Sequence, residues 1–438
     1  LVDPQSGNLA EILALQCGFH PMRTAPLRTY PGVKDFVAYD ESLQRFVHLH
    51  LHYQLVLGDR WVKAFRMPIE KQFLANRIWL EEFQLWNVHP IDEFAIYVCR
   101  MPVKFRVPYN PKSKAKVIKE AEHLIEQVQS SSHPYQTIAY TPTVDDLAKR
   151  LPNVTIHELA KTALKIRREM QYYRRMSKVS FIFLSNFRLF YRVFIEVQRR
   201  KLKRFAYGRR NLSRSGRVIA FVGMDGAGKS SGIERSTRFF AQQMNVANVF
   251  LGSGQSGASW HRKLAFKIFG TNKKAKEASS VNKTVKKHSF MYLFWIVLIT
   301  YEKLFRLNRI FSHRAAGRLV FVDRWPQNTV HKMFDGSKFD KGYKFSNWLE
   351  RFAKSLEGKL FERANKLAPD TIIQFVVSPE TSLERKPDDL SLEQAQQAKK
   401  DLEIISWPST SKLITIDADQ TIEEIDKELR AAIWQQIK

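Results

Sequence analysis

The second half of the chain alternates short apolar runs with helical stretches, and this alternation limits the folds open to it. The runs are rich in β-branched and aromatic residues and have the length of strands. Buried strands joined by helical crossovers form a parallel, doubly wound sheet, and the ligands of such a sheet bind at the carboxyl ends of its strands. The five predicted strands are 217–222, 246–251, 318–323, 371–377 and 413–417.

The first of these strands runs into a glycine-rich turn, and a helical run follows the turn. Residues 223–230 read Gly-Met-Asp-Gly-Ala-Gly-Lys-Ser, which fits the pattern G-x-x-x-x-G-K-[ST]. In this pattern backbone N–H groups and a helix N-terminus surround a phosphate. Lys229 reaches the β- and γ-phosphates of a nucleotide such as ATP, and the Ser230 hydroxyl ligates Mg²⁺. The expected ATP-binding residues are Gly223, Asp225, Gly226, Ala227, Gly228, Lys229, Ser230 and Ser231.

Charged pairs follow two later strands. Asp323 and Arg324 end the third strand, where a carboxylate can hold Mg²⁺ or orient an acceptor and a guanidinium can clamp an anionic group. Arg385 and Lys386 follow the fourth strand, at the head of segment 387–400. We predict that this segment is a lid whose cations stabilise the transferring charge; a solvated helix end is the alternative.

These motifs resemble the thymidylate kinase family over about residues 216–438. The family's phosphate loop, G-x-D-G-x-G-K-[ST], matches 223–230, and its D-R-aromatic motif matches 323–325. Its pattern of P-D, an apolar strand, S-P-E and then R-K matches 369–386. The resemblance implies a P-loop NTPase fold and transfer of the γ-phosphate of MgATP to an acceptor phosphate, which in the family is thymidine monophosphate (dTMP).

The resemblance also implies a role for individual residues. Carried over by position, Asp225 lies near the acceptor's sugar, Arg324 holds the acceptor's phosphate and Arg385 bridges donor and acceptor. Positioning and charge neutralisation then suffice, without a covalent intermediate. The candidate sets are Lys229, Asp323, Arg324 and Arg385 for catalysis, Asp225, Arg324 and Lys386 for acceptor binding, and Ser230 and Asp323 for Mg²⁺.

Two departures from the family leave the choice of acceptor open. The R-E-P-G-G-T loop is replaced by Leu-Gly-Ser-Gly-Gln-Ser-Gly-Ala-Ser at 251–259. Small residues and a Tyr-Gln pair are replaced by Asn-Thr-Val-His-Lys-Met at 328–333, and a basic insertion occupies 261–287. A phosphorylated sugar, glycan or lipid is therefore an alternative to a nucleoside monophosphate as the acceptor. A protein of another class, which binds nucleic acid or a membrane surface under the control of ATP, is the third hypothesis.

The first half of the chain has the pattern of a smaller mixed α/β domain over 1–130. Its strand-like runs are 46–57, 61–65 and 94–98, and a helical pattern covers 113–129. This half resembles a nucleotidyltransferase-fold domain, in which one strand carries an Asp-x-Asp pair that holds Mg²⁺. The opening Leu-Val-Asp-Pro resembles the end of that strand, so we expect a fragment or processed form whose carboxylate pair precedes residue 1.

A histidine-rich run, Phe-Val-His-Leu-His-Leu-His-Tyr, occupies 46–53 and takes the place of a later strand in that resemblance. Side chains alternate along a strand, so His48, His50 and His52 share one face. Two of the three can ligate zinc, but no Cys, Asp or Glu nearby in the sequence completes a ligand set. Partly buried, hydrogen-bonded histidines are the alternative.

The 438-residue chain carries a net charge of +28, and much of it lies between the two halves. Residues 161–217 contain eighteen Lys or Arg against two Glu, a net charge of +16. This run belongs to a predicted basic helical connector, 131–215. Such a segment attracts an anionic polymer or an acidic membrane surface, and a solvated helical face is the alternative. A second copy of the chain, which would form a homodimer, is a further expected partner.

The longest apolar run, 290–301, is shorter than the roughly 20 residues of a membrane-spanning helix, so we predict a buried core helix. Cys17 and Cys99 are the only cysteines, which argues against a disulfide framework and suits a reducing cytoplasm. We expect a cytoplasmic protein that its basic segment can hold at a membrane surface. Its predicted architecture is α/β, with a five-stranded parallel P-loop NTPase domain at 216–438.

Overall fold

A computed structural model describes most of the chain as two compact units. The N-terminal unit comprises Leu1–Ala38 and Val47–Gly208, and the C-terminal unit comprises Tyr39–Phe46 and Arg209–Lys438. The basic insertion predicted at 261–287 lies outside the described residues. The structure describes all residues except 25–28, 60–61, 105–110, 131–132, 201–208, 254–289, 332, 340–344, 346, 388–390 and 438.

Short strands and seven helices make up the described elements before residue 201. Strand β2 lies between β1 and β3, and the pairs β4–β5 and β6–β7 are antiparallel. The strands are β1 His20–Arg23, β2 Val33–Asp40, β3 Arg45–His52, β4 Leu55–Leu57, β5 Phe65–Met67, β6 Ile78–Leu80 and β7 Leu85–Asn87. The helices are α1 Gly7–Gln16, α2 Glu70–Ala75, α3 Pro90–Lys104, α4 Pro111–Ser130, α5 Pro142–Lys149, α6 Ile156–Glu169 and α7 Lys178–Arg200, with 3-10 turns at Pro4–Ser6 and Met170–Tyr173.

The strand predicted at 94–98 is wrong, because these residues lie inside helix α3. A five-residue apolar run fits a buried helix as well as a strand, and here the helix continues on both sides of it. Asp92 in the first turn of α3 is fully buried and accepts hydrogen bonds from Asn76, Tyr135 and Tyr140. These donors compensate the desolvation of a carboxylate that composition alone would place at the surface.

The predicted parallel sheet of the second half is confirmed. Its five strands are parallel and lie in the order β10-β11-β9-β12-β13. The strands after residue 208 are β8 Asn211–Leu212, β9 Arg217–Gly223, β10 Val246–Phe250, β11 Leu319–Asp323, β12 Thr371–Val376 and β13 Lys412–Asp417. The helices are α8 Lys229–Phe240, α9 Phe290–Ala315, α10 Trp348–Lys366, α11 Pro379–Arg385, α12 Leu392–Glu403 and α13 Ile422–Ile437.

The centre of this sheet is its driest part. Strands β9 and β11 are covered on both faces, and most of their side chains are excluded from water. Phe321 is fully buried and makes edge-to-face contacts with Phe221 and Phe240. Strand β13 lies at the edge, where Leu413 is 48% exposed. Burial on both faces explains why β9 and β11 are continuous apolar runs rather than alternating ones.

The apolar run 290–301 begins helix α9, of which one face is buried. Leu293, Ile296 and Ile299 face the interior, whereas Phe290 and Phe294 are exposed in the described structure. The prediction of a core helix therefore holds for one face. Where the structure describes the chain, none of its helices has the length and apolar character needed to cross a bilayer.

Helices α6 and α7 carry much of the basic segment 161–217. Helix α7 exposes several aromatic side chains on its surface, among them Phe183 and Phe190, each 71% exposed. Lys and Arg are interleaved with these rings along the helix. An anionic polymer or an acidic membrane surface as the partner of this segment remains a prediction.

Removing the central ring of the sheet should destabilise the C-terminal unit far more than removing an edge side chain. We expect Phe321→Ala to lower the free energy of unfolding by about 3–5 kcal/mol, because it leaves a cavity between two covered faces. Leu413→Ala on the edge strand is the matched control and should cost less than about 1 kcal/mol. Urea unfolding followed by circular dichroism measures both, and equal losses would contradict this description of the core.

Candidate functional site

The turn after β9 has a backbone that only glycine adopts readily. Gly223, Gly226 and Gly228 have φ angles of 144°, 87° and 80°. A Cβ atom on Gly223 would lie 2.5 Å from the carbonyl oxygen of Phe375, and one on Gly226 would lie 2.8 Å from that of Ser382. Gly228 is the N-cap of helix α8. The glycines therefore allow the turn to approach the backbone at Phe375 and Ser382 closely. The turn also places the N-terminus of α8 next to the end of β9.

Lys229 is the first residue of α8, and its side chain returns over the turn. The Nζ atom donates a hydrogen bond to the carbonyl of Met224 and lies 3.8 Å from Asp225 Oδ1. Only 6% of the residue is exposed. Burial, together with the nearby charge of Arg324, lowers the pKa of Lys229 to about 8. An ammonium group with so little hydration is well suited to an anionic partner.

Ser230 and Asp323 meet across the ends of α8 and β11. The Ser230 hydroxyl lies 3.3 Å from Asp323 Oδ2. Asp323 Oδ1 is buried and has no hydrogen-bond partner among the described residues. Burial raises the pKa of Asp323, against the opposing effect of Lys229. A hydroxyl beside a carboxylate whose other oxygen lacks a partner is a donor set that fits Mg²⁺.

Arg324 connects the sheet edge to the phosphate loop. Its backbone N–H bonds to the carbonyl of Phe221, and its φ of 70° lies in the left-handed region. Its guanidinium donates to Asp225 Oδ1 at 2.7 Å and lies 3.7 Å from Asp335 Oδ2. An unfavourable backbone conformation at a charged residue suggests a functional role for the direction of its side chain.

The structure adds two charged residues that the sequence patterns did not predict. Asp335 Oδ1 and Lys303 Nζ lie 2.9 Å apart, and their side chains are 3% and 5% exposed. The Ser253 hydroxyl donates to the same carboxylate oxygen at 3.2 Å. Burial opposes ionisation of Asp335, but Lys303 and Arg324 outweigh it and hold the pKa at about 2. Asp335 therefore lies near a different guanidinium nitrogen of Arg324 from the one that is bonded to Asp225.

A tightly folded loop delivers Asp335 to this place. Phe334 and Asp335 both have positive φ angles, 46° and 58°. A Cβ atom on Gly336 would lie 1.8 Å from the carbonyl of Val330, so only glycine fits there. The buried amide of Gln327 bonds to backbone groups of the same loop. The Asp335-Gly336 dipeptide is a turn signal that could have indicated this loop, although not the partner of the carboxylate.

Helix α11 packs against the phosphate loop, and the two cations at its C-terminal end, Arg385 and Lys386, have different surroundings. Ser382 donates to the carbonyl of Asp225 at 2.7 Å. Arg385 is exposed and donates to the backbone carbonyl of Ala418 at 3.0 Å. Lys386 is exposed and its charge helps to lower the pKa of Lys229. Part of the predicted lid, 387–400, is helix α12, which starts with a capping box at Ser391.

Asp370 and Ser378, which belong to the family pattern at 369–386, form hydrogen bonds that support the fold. Asp370 accepts hydrogen bonds from the Val218 N–H and from Arg314, each at 2.7 Å. Ser378 caps helix α11 and bonds to Asp419. They stabilise the start of β12 and the start of α11. Of the predicted site residues, Asp225, Lys229, Ser230, Asp323 and Arg324 come together, whereas Arg385 bonds elsewhere and Ser231 is exposed on α8.

Several known proteins are similar to part of this chain. No protein-family model matches the chain. The chain is 28% identical over 177 residues to the uncharacterized ATP-binding protein YghS of Escherichia coli K12, covering 39% of this chain and 74% of YghS. It is 24% identical over 177 residues to the uncharacterized ATP-binding protein YghR of the same strain, covering 39% and 69%.

A thymidylate kinase of Maridesulfovibrio salexigens is 22% identical over 242 residues, which cover 50% of this chain and 96% of the kinase. The nucleotidyltransferase resemblance of the first half remains a prediction. The strand, glycine turn and helix of the C-terminal unit, together with these similarities, support a P-loop, kinase-like protein.

Proposed function

We propose that the chain binds MgATP at residues 223–230 and transfers the γ-phosphate to a phosphorylated acceptor, with a nucleoside monophosphate such as dTMP as the first candidate. The observation that carries the proposal is the convergence of Lys229, Ser230 and Asp323 at one glycine turn. The names of the relatives agree with it, since two are ATP-binding proteins and one is a thymidylate kinase.

On the donor side, the turn and the start of α8 supply the positive charge. Backbone N–H groups and the helix N-terminus face the phosphates, and Lys229 moves from the Met224 carbonyl to the β- and γ-phosphate oxygens. The Ser230 hydroxyl and Asp323 would hold Mg²⁺, which neutralises charge on the phosphates when bound. Exclusion of water around Lys229 strengthens these attractions.

On the acceptor side, Arg324 is the group that positions the nucleophile. Asp225 and Asp335 flank its guanidinium and hold it in one direction, so little side-chain entropy is lost when it binds an acceptor phosphate. An oxygen of that phosphate forms a bond to the γ-phosphorus while the bond to the β–γ bridging oxygen breaks. The leaving group is ADP, and the acceptor gains one phosphoryl group.

A phosphorylated sugar, glycan or lipid is the second candidate acceptor. The loop at 251–259 lacks the Arg and Glu of the family's R-E-P-G-G-T sequence, and Ser253 instead bonds to Asp335. The Asp335–Lys303 pair thus lies beside Arg324, the arginine that we propose binds the phosphate of the acceptor. A changed set of polar groups at that place favours a changed acceptor.

Incubation of the protein with Mg²⁺ and γ-labelled ATP tests the proposal. We expect label to move to one member of a panel of nucleoside monophosphates, phosphosugars and phospholipids, and we expect Lys229→Ala to lose at least about 100-fold of this activity. Transfer to a nucleoside monophosphate supports the first candidate, and transfer to a phosphosugar or phospholipid supports the second. ATP binding that is lost in Lys229→Ala, but without label transfer to any acceptor, would contradict a kinase and favour an ATP-controlled binding protein.

Arg324 should affect the acceptor more than the donor. We expect Arg324→Lys to lower kcat/KM for the acceptor by about 100-fold, because an ammonium cannot form two parallel bonds to phosphate oxygens. The KM for ATP should change much less. Arg238→Ala, which removes an exposed arginine of α8 paired with Glu234, is the control and should leave both values unchanged. Equal losses for ATP and acceptor would contradict the assignment.

The pH dependence of nucleotide binding tests the state of Lys229. Because the pKa of this lysine is about 8 in the free protein, its ammonium form is lost as the pH rises above 8. We expect the Kd for ATP to be constant below pH 8 and to rise by about tenfold per pH unit above it. Lys229→Arg keeps its charge and should flatten this rise. The same slope in both proteins would show that another group titrates.

A further inference from the structure

Three side chains converge in the N-terminal unit, on strands β2 and β3. His48 Nε2 and His50 Nε2 each lie 2.8 Å from Asp35 Oδ1. Their two rings are 3.9 Å apart between centroids. One possible ligand atom from each of the three residues lies within 4.8 Å of the others. The proposed phosphotransfer reaction uses none of these groups.

The carboxylate that the histidine run lacks in the sequence is supplied by the neighbouring strand. His48 and His50 alternate with apolar residues and project from one face of β3, and β2 lies directly beside β3. Asp35 on β2 is thirteen residues before His48, so local sequence spacing does not reveal it. The fold therefore completes a set of two imidazoles and one carboxylate.

The chemistry of this set matches a transition-metal site. Imidazole nitrogen and carboxylate oxygen are common zinc ligands, and three protein ligands leave a fourth position for water or substrate. Zinc bonds of about 2.0–2.2 Å separate tetrahedral ligand atoms by about 3.3 Å. The 2.8 Å contacts need to open by only about 0.5 Å to reach that separation.

The surroundings of Asp35 orient it for this role. Thr24 donates its hydroxyl hydrogen bond to Oδ2, whereas both histidines face Oδ1. Support of this kind from a second layer of residues fixes the direction of a ligating carboxylate. The side chain of Asp35 is 11% exposed and that of His50 is 46% exposed, so an ion can enter from the His50 side.

We propose that Asp35, His48 and His50 form a binding site for a divalent transition metal, with Zn²⁺ as the best match to the ligand set. One carboxylate and two neutral imidazoles leave the bound ion with a net positive charge. The open fourth position then suits a water molecule or an anionic group. The competing explanation is that both histidines only donate hydrogen bonds to Asp35.

Metal titration of the full chain, freed of metal by chelation and dialysis, separates the two explanations. We expect calorimetry to find one Zn²⁺ bound per chain at this site, and Co²⁺ to give the visible absorption of a nitrogen- and oxygen-ligated ion. Asp35→Asn and His50→Ala should weaken Zn²⁺ binding by at least about 100-fold, since even the loss of an outer partner costs about 10- to 100-fold. His157→Ala, which removes an exposed histidine of α6, should bind as the unchanged protein does.

A second pair of variants guards against loss of folding. His48→Gln and His50→Gln keep an amide that can donate to Asp35 but provide no imidazole ligand. We expect their Tm without metal to match that of the unchanged protein, and the rise in Tm on addition of Zn²⁺ to disappear. A Zn²⁺ response that survives in both glutamine variants and in Asp35→Asn would overturn the proposal, as would a native chain that binds no Zn²⁺.

Discussion

Hydrogen bonding between β9 and β11 places the glycine turn beside Asp323 and Arg324. The parallel register sets Asp323 beside Phe221, two residues before Gly223. The N–H of Arg324 extends the pairing to the carbonyl of Phe221. The glycine turn at the end of β9 and the residues Asp323 and Arg324 at the end of β11 therefore lie next to each other. Without this register, Ser230 would not reach Asp323 and Arg324 would not reach Asp225.

The charges gathered there are expensive for the fold. Lys229, Lys303 and Asp335 are almost completely buried, and an isolated buried ion costs several kcal/mol even after relaxation. Pairing offsets part of this cost, yet apolar residues of similar size would often serve stability as well or better. Positive φ angles at Arg324 and Asp335 add further strain. Local rules of stability are broken together at one place, as is usual where a protein works on a ligand.

The sequence allowed the C-terminal fold to be predicted, because its strands are long apolar runs and its phosphate turn has a fixed glycine spacing. The run at 94–98 does not distinguish a strand from a helix, since five apolar residues carry no period that separates the two. Asp335 and Lys303 were missed because they are 32 residues apart and meet through a loop and a helix. Asp35 lies on the strand beside the histidines, thirteen residues before His48, where sequence spacing alone shows no ligand pattern. Pairs of this kind depend on tertiary packing, which local patterns do not encode.

The strand order also has a consequence for how the polypeptide emerges from the ribosome. Strand β9 is synthesised before both of its neighbours, β11 and β12. The Val218 N–H bonds to Asp370, which is 152 residues later. At 5–20 residues per second, this wait lasts roughly 8–30 s. During that time one backbone edge of this buried strand stays unpaired, which favours association with other chains unless α8 or a chaperone covers it.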